Sequence, residues 1–120
     1  MTYKTGAEIT EEAKAQITEV KPAEVKAMLD AKEDVVYLDV REPNEWNLGR
    51  IPGAVHLPRG TLEGKLEGMV DRGREIVVYC ASGNRSALAA LTMKQMGYDN
   101  VASMSGGMQA WSDVGGPVEG

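Results

Sequence analysis

The amino-acid sequence predicts an α/β protein built on a parallel sheet with helices on both faces. Three observations lead there: short apolar runs rich in Val, Ile and Tyr, helical patterns set between them, and a strict alternation of the two along the chain. With 120 residues, the chain can bury one real core but not two independent ones.

Residues 1–16 read as a peripheral N-terminal segment, residues 17–114 as the domain, and residues 115–120 as a tail. Ile17 to Val20 lead into Pro22, which suits the first turn of a helix PAEVKAMLD, where Val25, Met28 and Leu29 recur at helical spacing. DVVYLDV, Asp34 to Val40, is too short for a helix and rich in Val, hence a buried strand. REPNEWNLGRIPG is turn-rich, with a short helix near Asn44 to Leu48. GAVHLP offers a brief strand between Gly53 and Pro58, and TLEGKLEGMVDRG a helix weakened by Gly64 and Gly68. EIVVYC is the next strand, RSALAALTMKQMG a helix stopped by Gly97, and NVASM the last strand. The glycine pair Gly106 and Gly107 then opens a short final helix carrying Trp111.

Composition excludes several function classes. Hydrophobic residues make up 42% and charged residues 26%, as in ordinary globular domains. Acidic residues outnumber basic ones 18 to 13, a net charge of -5 with no basic run, which argues against nucleic acid or an anionic membrane as partner. The N-terminus lacks the apolar stretch of a signal peptide, and no apolar run is long enough to span a bilayer, so a cytoplasmic location is expected. One cysteine and one histidine allow neither an internal disulfide nor a clustered metal site.

The single cysteine, Cys80, falls at the carboxyl end of a strand and just before a helix, the edge where open parallel sheets bind ligands. The loop Ala81, Ser82, Gly83, Asn84, Arg85 is small and carries one glycine, so successive N–H groups can turn inward as an anion nest, with Ser86 following. The helix N-terminus and a full positive charge on Arg85 favour a thiolate held over that nest. Two chemistries use such a cradle: phosphoryl transfer through a phosphocysteine, and sulfane-sulfur transfer through a persulfide. Cysteine phosphatases have one residue more between Cys and Arg than the four, Ala81 to Asn84, found here. The tighter ring suits one terminal sulfur better than a set of phosphate oxygens.

The segments LDVREPNEW (38–46), GRIPGAVHLP (49–58), VVYCASGNRSALAA (77–90) and GGMQAW (106–111), in this order and at these separations, resemble the rhodanese family, specifically its small single-domain members. The resemblance implies a rhodanese-like fold with a central five-stranded parallel sheet, no cofactor, and Cys80 as the persulfide-forming nucleophile. It makes residues 81–85 the cradle and gives Asp39 and Arg41 the role of bracing the loop. It also implies a small-molecule sulfur donor, a thiol or cyanide acceptor, and room for a sulfur-acceptor protein. The His of the family's GHI segment is Arg50 here. Two-domain thiosulfate-using members carry cations where this chain has Ser82 and Glu45, which should weaken a dianionic donor more than a thiol-bound one.

Other residues have plainer readings. His56, between Pro52 and Pro58, is expected to be structural rather than a base for Cys80. Met93, Met96, Met104 and Met108 are expected to pack rather than bind metal. Trp46 could cap the core or flank the site. A catalytically silent binding or sensing module is the alternative to an enzyme, although loss of the cysteine usually marks that class and Cys80 is present.

Overall fold

The computed structural model describes residues 2–120. Its strands are Thr18–Val20 (β1), Val36–Asp39 (β2), Val55–His56 (β3), Ile76–Tyr79 (β4) and Val101–Met104 (β5). All pairings are parallel, in the order β1-β5-β4-β2-β3. The helices are Gly6–Ala15 (α1), Pro22–Asp30 (α2), Pro43–Asn47 (α3), Leu62–Met69 (α4), Asn84–Gln95 (α5) and Gly107–Asp113 (α6), with one 3-10 turn at Arg59–Thr61. The five-stranded parallel sheet expected from the sequence is thus present, though β2 and β3 are shorter than the apolar runs that predict them. Gly64 and Gly68 do not break α4, whose Leu62 and Leu66 are fully buried and hold it to the sheet.

The two-residue period of a strand sorts the core into two layers. Val36 and Leu38 of β2, Ile76 and Val78 of β4, and Cys80 face α4 and α5, where Leu62, Leu66, Ala89, Ala90 and Met93 meet them. Tyr37, Val77 and Tyr79 face the opposite way, toward Val25 of α2 and Trp111 of α6. Helices therefore cover both faces, and both central strands are buried along their whole length. The methionines behave as packing residues: Met93 and Met104 are fully buried, and Met96 and Met108 pack against the two layers from outside.

The two ends of the chain are more ordered than a peripheral reading suggests. Thr5 and Glu8 form a reciprocal capping box that starts α1, and α1 buries Ala13 and lies along α5. Lys94 Nζ of α5 donates to Gln16 O at 3.0 Å just beyond it. At the other end, Trp111 Nε1 donates to Pro117 O at 2.9 Å, and Glu119 exchanges backbone bonds of 3.0 and 2.9 Å with Arg50. The tail is exposed, yet it straps α6 to the segment before β3. No helix among the described residues is long and apolar enough to cross a membrane.

Candidate active site

The chain switches direction across the sheet between β2 and β4, so the loop leaving β4 opens at the crevice where such sheets bind ligands. Cys80 is the first residue of that loop and is completely buried. Gly83, the N-cap of α5, takes φ +95°, a left-handed conformation that glycine adopts without strain. This turn aims two N–H groups at the sulfur: Gly83 N donates to Cys80 Sγ at 3.1 Å and Ser86 N at 3.3 Å. The N–H groups of Asn84 and Arg85, in the first turn of α5, find no backbone acceptor among the described residues. Donors that converge on one sulfur stabilise negative charge there, and the dipole of the twelve-residue α5 adds to them.

Behind the sulfur lies a pair of hydroxyls. Ser86 Oγ is 3.5 Å from Cys80 Sγ and 2.8 Å from Ser103 Oγ, and both serines are completely buried. The floor comes from α6: Met108 N donates to Cys80 O at 2.9 Å and Gln109 N to Ala81 O at 3.1 Å. Two otherwise orphan N–H groups of a helix start thereby satisfy the cradle's carbonyls. Gly107, at φ +55°, makes this approach sterically possible, because a Cβ there would lie 2.6 Å from the carbonyl carbon and oxygen of Ala81.

The charges are arranged differently from the sequence expectation. Arg85 was expected to add a full positive charge to the cradle. Instead its Nη1 and Nη2 donate to Glu45 Oε1 and Oε2 at 2.7 and 2.9 Å, a fork-to-fork pair that neutralises it. The pairing is a tertiary effect: α3 carries Glu45 to Arg85, at the end of the cradle loop, from 40 residues away in the chain. The Arg85 guanidinium, aided by the Glu42 N–H, holds the Glu45 carboxyl down at about 2.

Asp39 and Arg41 form a second, deeper pair. Arg41 Nη2 reaches Asp39 Oδ2 at 2.7 Å and also donates to Gly49 O at 2.7 Å. Asp39 Oδ1 accepts the Arg41 backbone N–H at 2.9 Å. The pair therefore ties the end of β2 to the far end of the segment carrying α3, which among the described residues meets the cradle loop through Glu45 and Arg85. Beside it, burial and then the Asp39 charge push the Tyr79 phenol far above its ordinary range, so it stays protonated. Its oxygen accepts the Ile51 N–H at 3.2 Å.

His56 and Trp46 belong to the same support. Their rings stack with centroids 4.7 Å apart and planes at 12°. His56 Nε2 meets Arg41 O at 2.9 Å, and the Arg50 guanidinium lies 4.4 Å from the Trp46 ring centroid. No hydrogen bond joins His56 to Cys80 among the described residues. Nor do three or more His, Cys, Asp or Glu side chains gather there in a way that could hold a metal ion.

The Glu45–Arg85 pair has a pH signature. A carboxyl held below its unfolded value stabilises the fold fully above that value and loses the contribution as pH falls through the folded value. In urea denaturation, wild type should exceed Glu45→Gln in stability at pH 6. That gap should close between about pH 4.5 and about pH 2, the ordinary and folded values of the carboxyl. A gap unchanged across that range would mean that the pair does not act as an ion pair in solution.

Ser103, the Glu45–Arg85 pairing and the α6 floor were not read from the sequence. Only the floor had a signal in advance, the glycine pair before the last helix.

The sequence profile of the Rhodanese-like domain family matches residues 21–114. A Bacillus subtilis protein named as a candidate sulfur carrier, YrkF, is 37% identical over 89% of this chain, which spans 57% of that protein's length. A protein of Allochromatium vinosum named Sulfurtransferase is 33% identical over 85% of this chain and 94% of its own. Among solved structures, a Rhodopseudomonas palustris protein of unknown function, described as a possible tyrosine phosphatase, superposes with a TM-score of 0.88 at 35% identity. That match covers 99% of this chain and 97% of the other.

Proposed function

The chain belongs to the rhodanese family, and on that premise we propose that it is a sulfurtransferase working through a Cys80 persulfide. The observation that carries the reading is the convergence of the Gly83 and Ser86 N–H groups on Cys80 Sγ, with Asn84 and Arg85 supplying further N–H groups for a second sulfur. The donor is thiosulfate or a low-molecular-weight persulfide. The Cys80 thiolate attacks the outer sulfur of the donor, the donor S–S bond breaks, and sulfite or a thiolate leaves with the bonding pair. Cys80 then carries a persulfide anion, whose single diffuse charge matches a ring of backbone donors. Cyanide or an acceptor thiol attacks the outer sulfur, the new S–S bond breaks, and the Cys80 thiolate is restored. No external oxidant or reductant enters the cycle. An acceptor protein with an exposed thiol would serve as well as a small molecule.

The likeness to the Rhodopseudomonas palustris protein favours a second reading, phosphate-ester hydrolysis. The cradle argues against it. Only four residues separate Cys80 from Arg85, and Arg85, the side chain that would grip phosphate oxygens, is already paired with Glu45. The silent-module reading is weaker still, since it leaves a nucleophile and its donors assembled without use.

The test gives one preparation two substrates. With a sulfane donor and cyanide, thiocyanate should accumulate catalytically; with an aryl phosphate, no phenol should be released above background. Aryl-phosphate turnover with no thiocyanate would replace the sulfurtransferase reading with the phosphatase one. Inactivity toward both would leave the silent module.

A further inference from the structure

Arg85 is the one cation of the cradle loop, whose other members are Ala81, Ser82, Gly83 and Asn84. Both of its terminal nitrogens are committed to Glu45, at 2.7 and 2.9 Å. Glu45 is in turn fixed from its own side: Oε1 also accepts the Glu42 N–H at 3.0 Å, closing the capping box of α3. The Asp39–Arg41 pair, tied to Gly49 O, anchors the other end of that segment. Glu45 is therefore held in place against Arg85, and the cradle loop is left with no uncompensated cation to offer whatever approaches Cys80.

We propose that Glu45 is a specificity-determining residue, whose carboxylate cancels Arg85 and restricts the site to sulfane donors with a single negative charge at the transferring sulfur, persulfidated thiols rather than thiosulfate. This rests on the sulfurtransferase reading and adds the donor class to it. An unpaired Arg85 would attract a dianion about twice as strongly as a monoanion at the same distance, so cancelling it costs the dianion more and discriminates by charge. To recruit Arg85, thiosulfate must displace Glu45 from a two-point pair. A persulfide anion needs only the backbone N–H groups.

Glu45→Gln removes the charge while keeping an amide oxygen able to accept the Glu42 N–H and one Arg85 N–H. The probes are thiosulfate and N-acetylcysteamine persulfide, a thiol persulfide with an uncharged body, each assayed with cyanide as acceptor. We expect Glu45→Gln to raise the thiosulfate-to-persulfide ratio of kcat/KM about tenfold, chiefly through the KM for thiosulfate. The gain should shrink as ionic strength rises. Because the result is a ratio, a general loss of activity cancels, and Glu45→Ala, which gives up the cap bond too, should move the ratio in the same direction. Wild type loaded by both donors with a ratio unmoved, or lowered, in the two variants would overturn the role of Glu45 and leave the sulfurtransferase reading intact. Wild type loaded by neither donor would sink that reading, and the inference with it.

Discussion

Replacing Cys80 by Ser is expected to abolish thiocyanate formation, a loss of at least about 1,000-fold, while leaving the fold in place. The chemistry requires a sulfur nucleophile that can form and break an S–S bond, and the chain has no second cysteine to substitute for it. The fold should tolerate the change because the new hydroxyl enters a site already furnished for a polar atom. Gly83 N and Ser86 N, which donate to Sγ at 3.1 and 3.3 Å, can donate to an oxygen after a small adjustment. Circular dichroism and the thermal midpoint should stay close to wild type. Sulfur transfer to cyanide by the Cys80→Ser protein would place the chemistry elsewhere.

Gly107→Ala is expected to have the second largest effect, at a residue with no reactive atom. Its φ of +55° is unfavourable for alanine, and the added Cβ would overlap the Cys80 carbonyl oxygen and sit 2.6 Å from the carbonyl of Ala81. Those are backbone atoms of the cradle and cannot swing aside as a flexible side chain would. Left-handed strain and overpacking together should cost about 2–5 kcal/mol in denaturant unfolding. The accommodating shift would also pull Met108 N and Gln109 N from the carbonyls they cap. A displacement of about 1 Å at a reacting group can lower turnover about 100-fold, and a loss of that order in kcat/KM is expected. Gly64→Ala is the control: it lies within α4, its Cβ would meet open space, and it should stabilise by about 0.5–1 kcal/mol without touching sulfur transfer. If Gly107→Ala behaved like Gly64→Ala, the close approach of α6 to the cradle would be unimportant.

How much of this was legible in the sequence depends on the range of the interaction responsible. The central strands were readable because a strand buried on both faces shows itself as an uninterrupted apolar run, as in Val35–Leu38 and Ile76–Tyr79. The turn that brings N–H groups onto Cys80 Sγ was readable because its residues, Cys80 to Ser86, are contiguous. Helix α1 was missed even though Thr5-Gly6-Ala7-Glu8 spells a capping box, since the segment is too polar to show a strong apolar face; only Ala13 is buried. The Glu45–Arg85 pair left no local trace. Glu45 was read as standing where thiosulfate-using relatives carry a cation and Arg85 as a free cation, and only the tertiary placement of α3 shows that each cancels the other. Ser103 escaped for the same reason: a serine in NVASM looks like any residue of a final strand until β5 sets it 2.8 Å from Ser86 Oγ. The strap from Trp111 to Pro117 and on to Arg50 joins residues with no shared pattern in the chain.

The most direct measurement is the intact mass of the wild-type protein after incubation with a sulfane donor and removal of the excess, repeated after addition of cyanide. The persulfide mechanism predicts a gain of one sulfur atom, located on Cys80 by fragmentation, that disappears with cyanide as one equivalent of thiocyanate is released. A wild-type mass unchanged by every sulfane donor, or an added sulfur that cyanide does not remove, would contradict it.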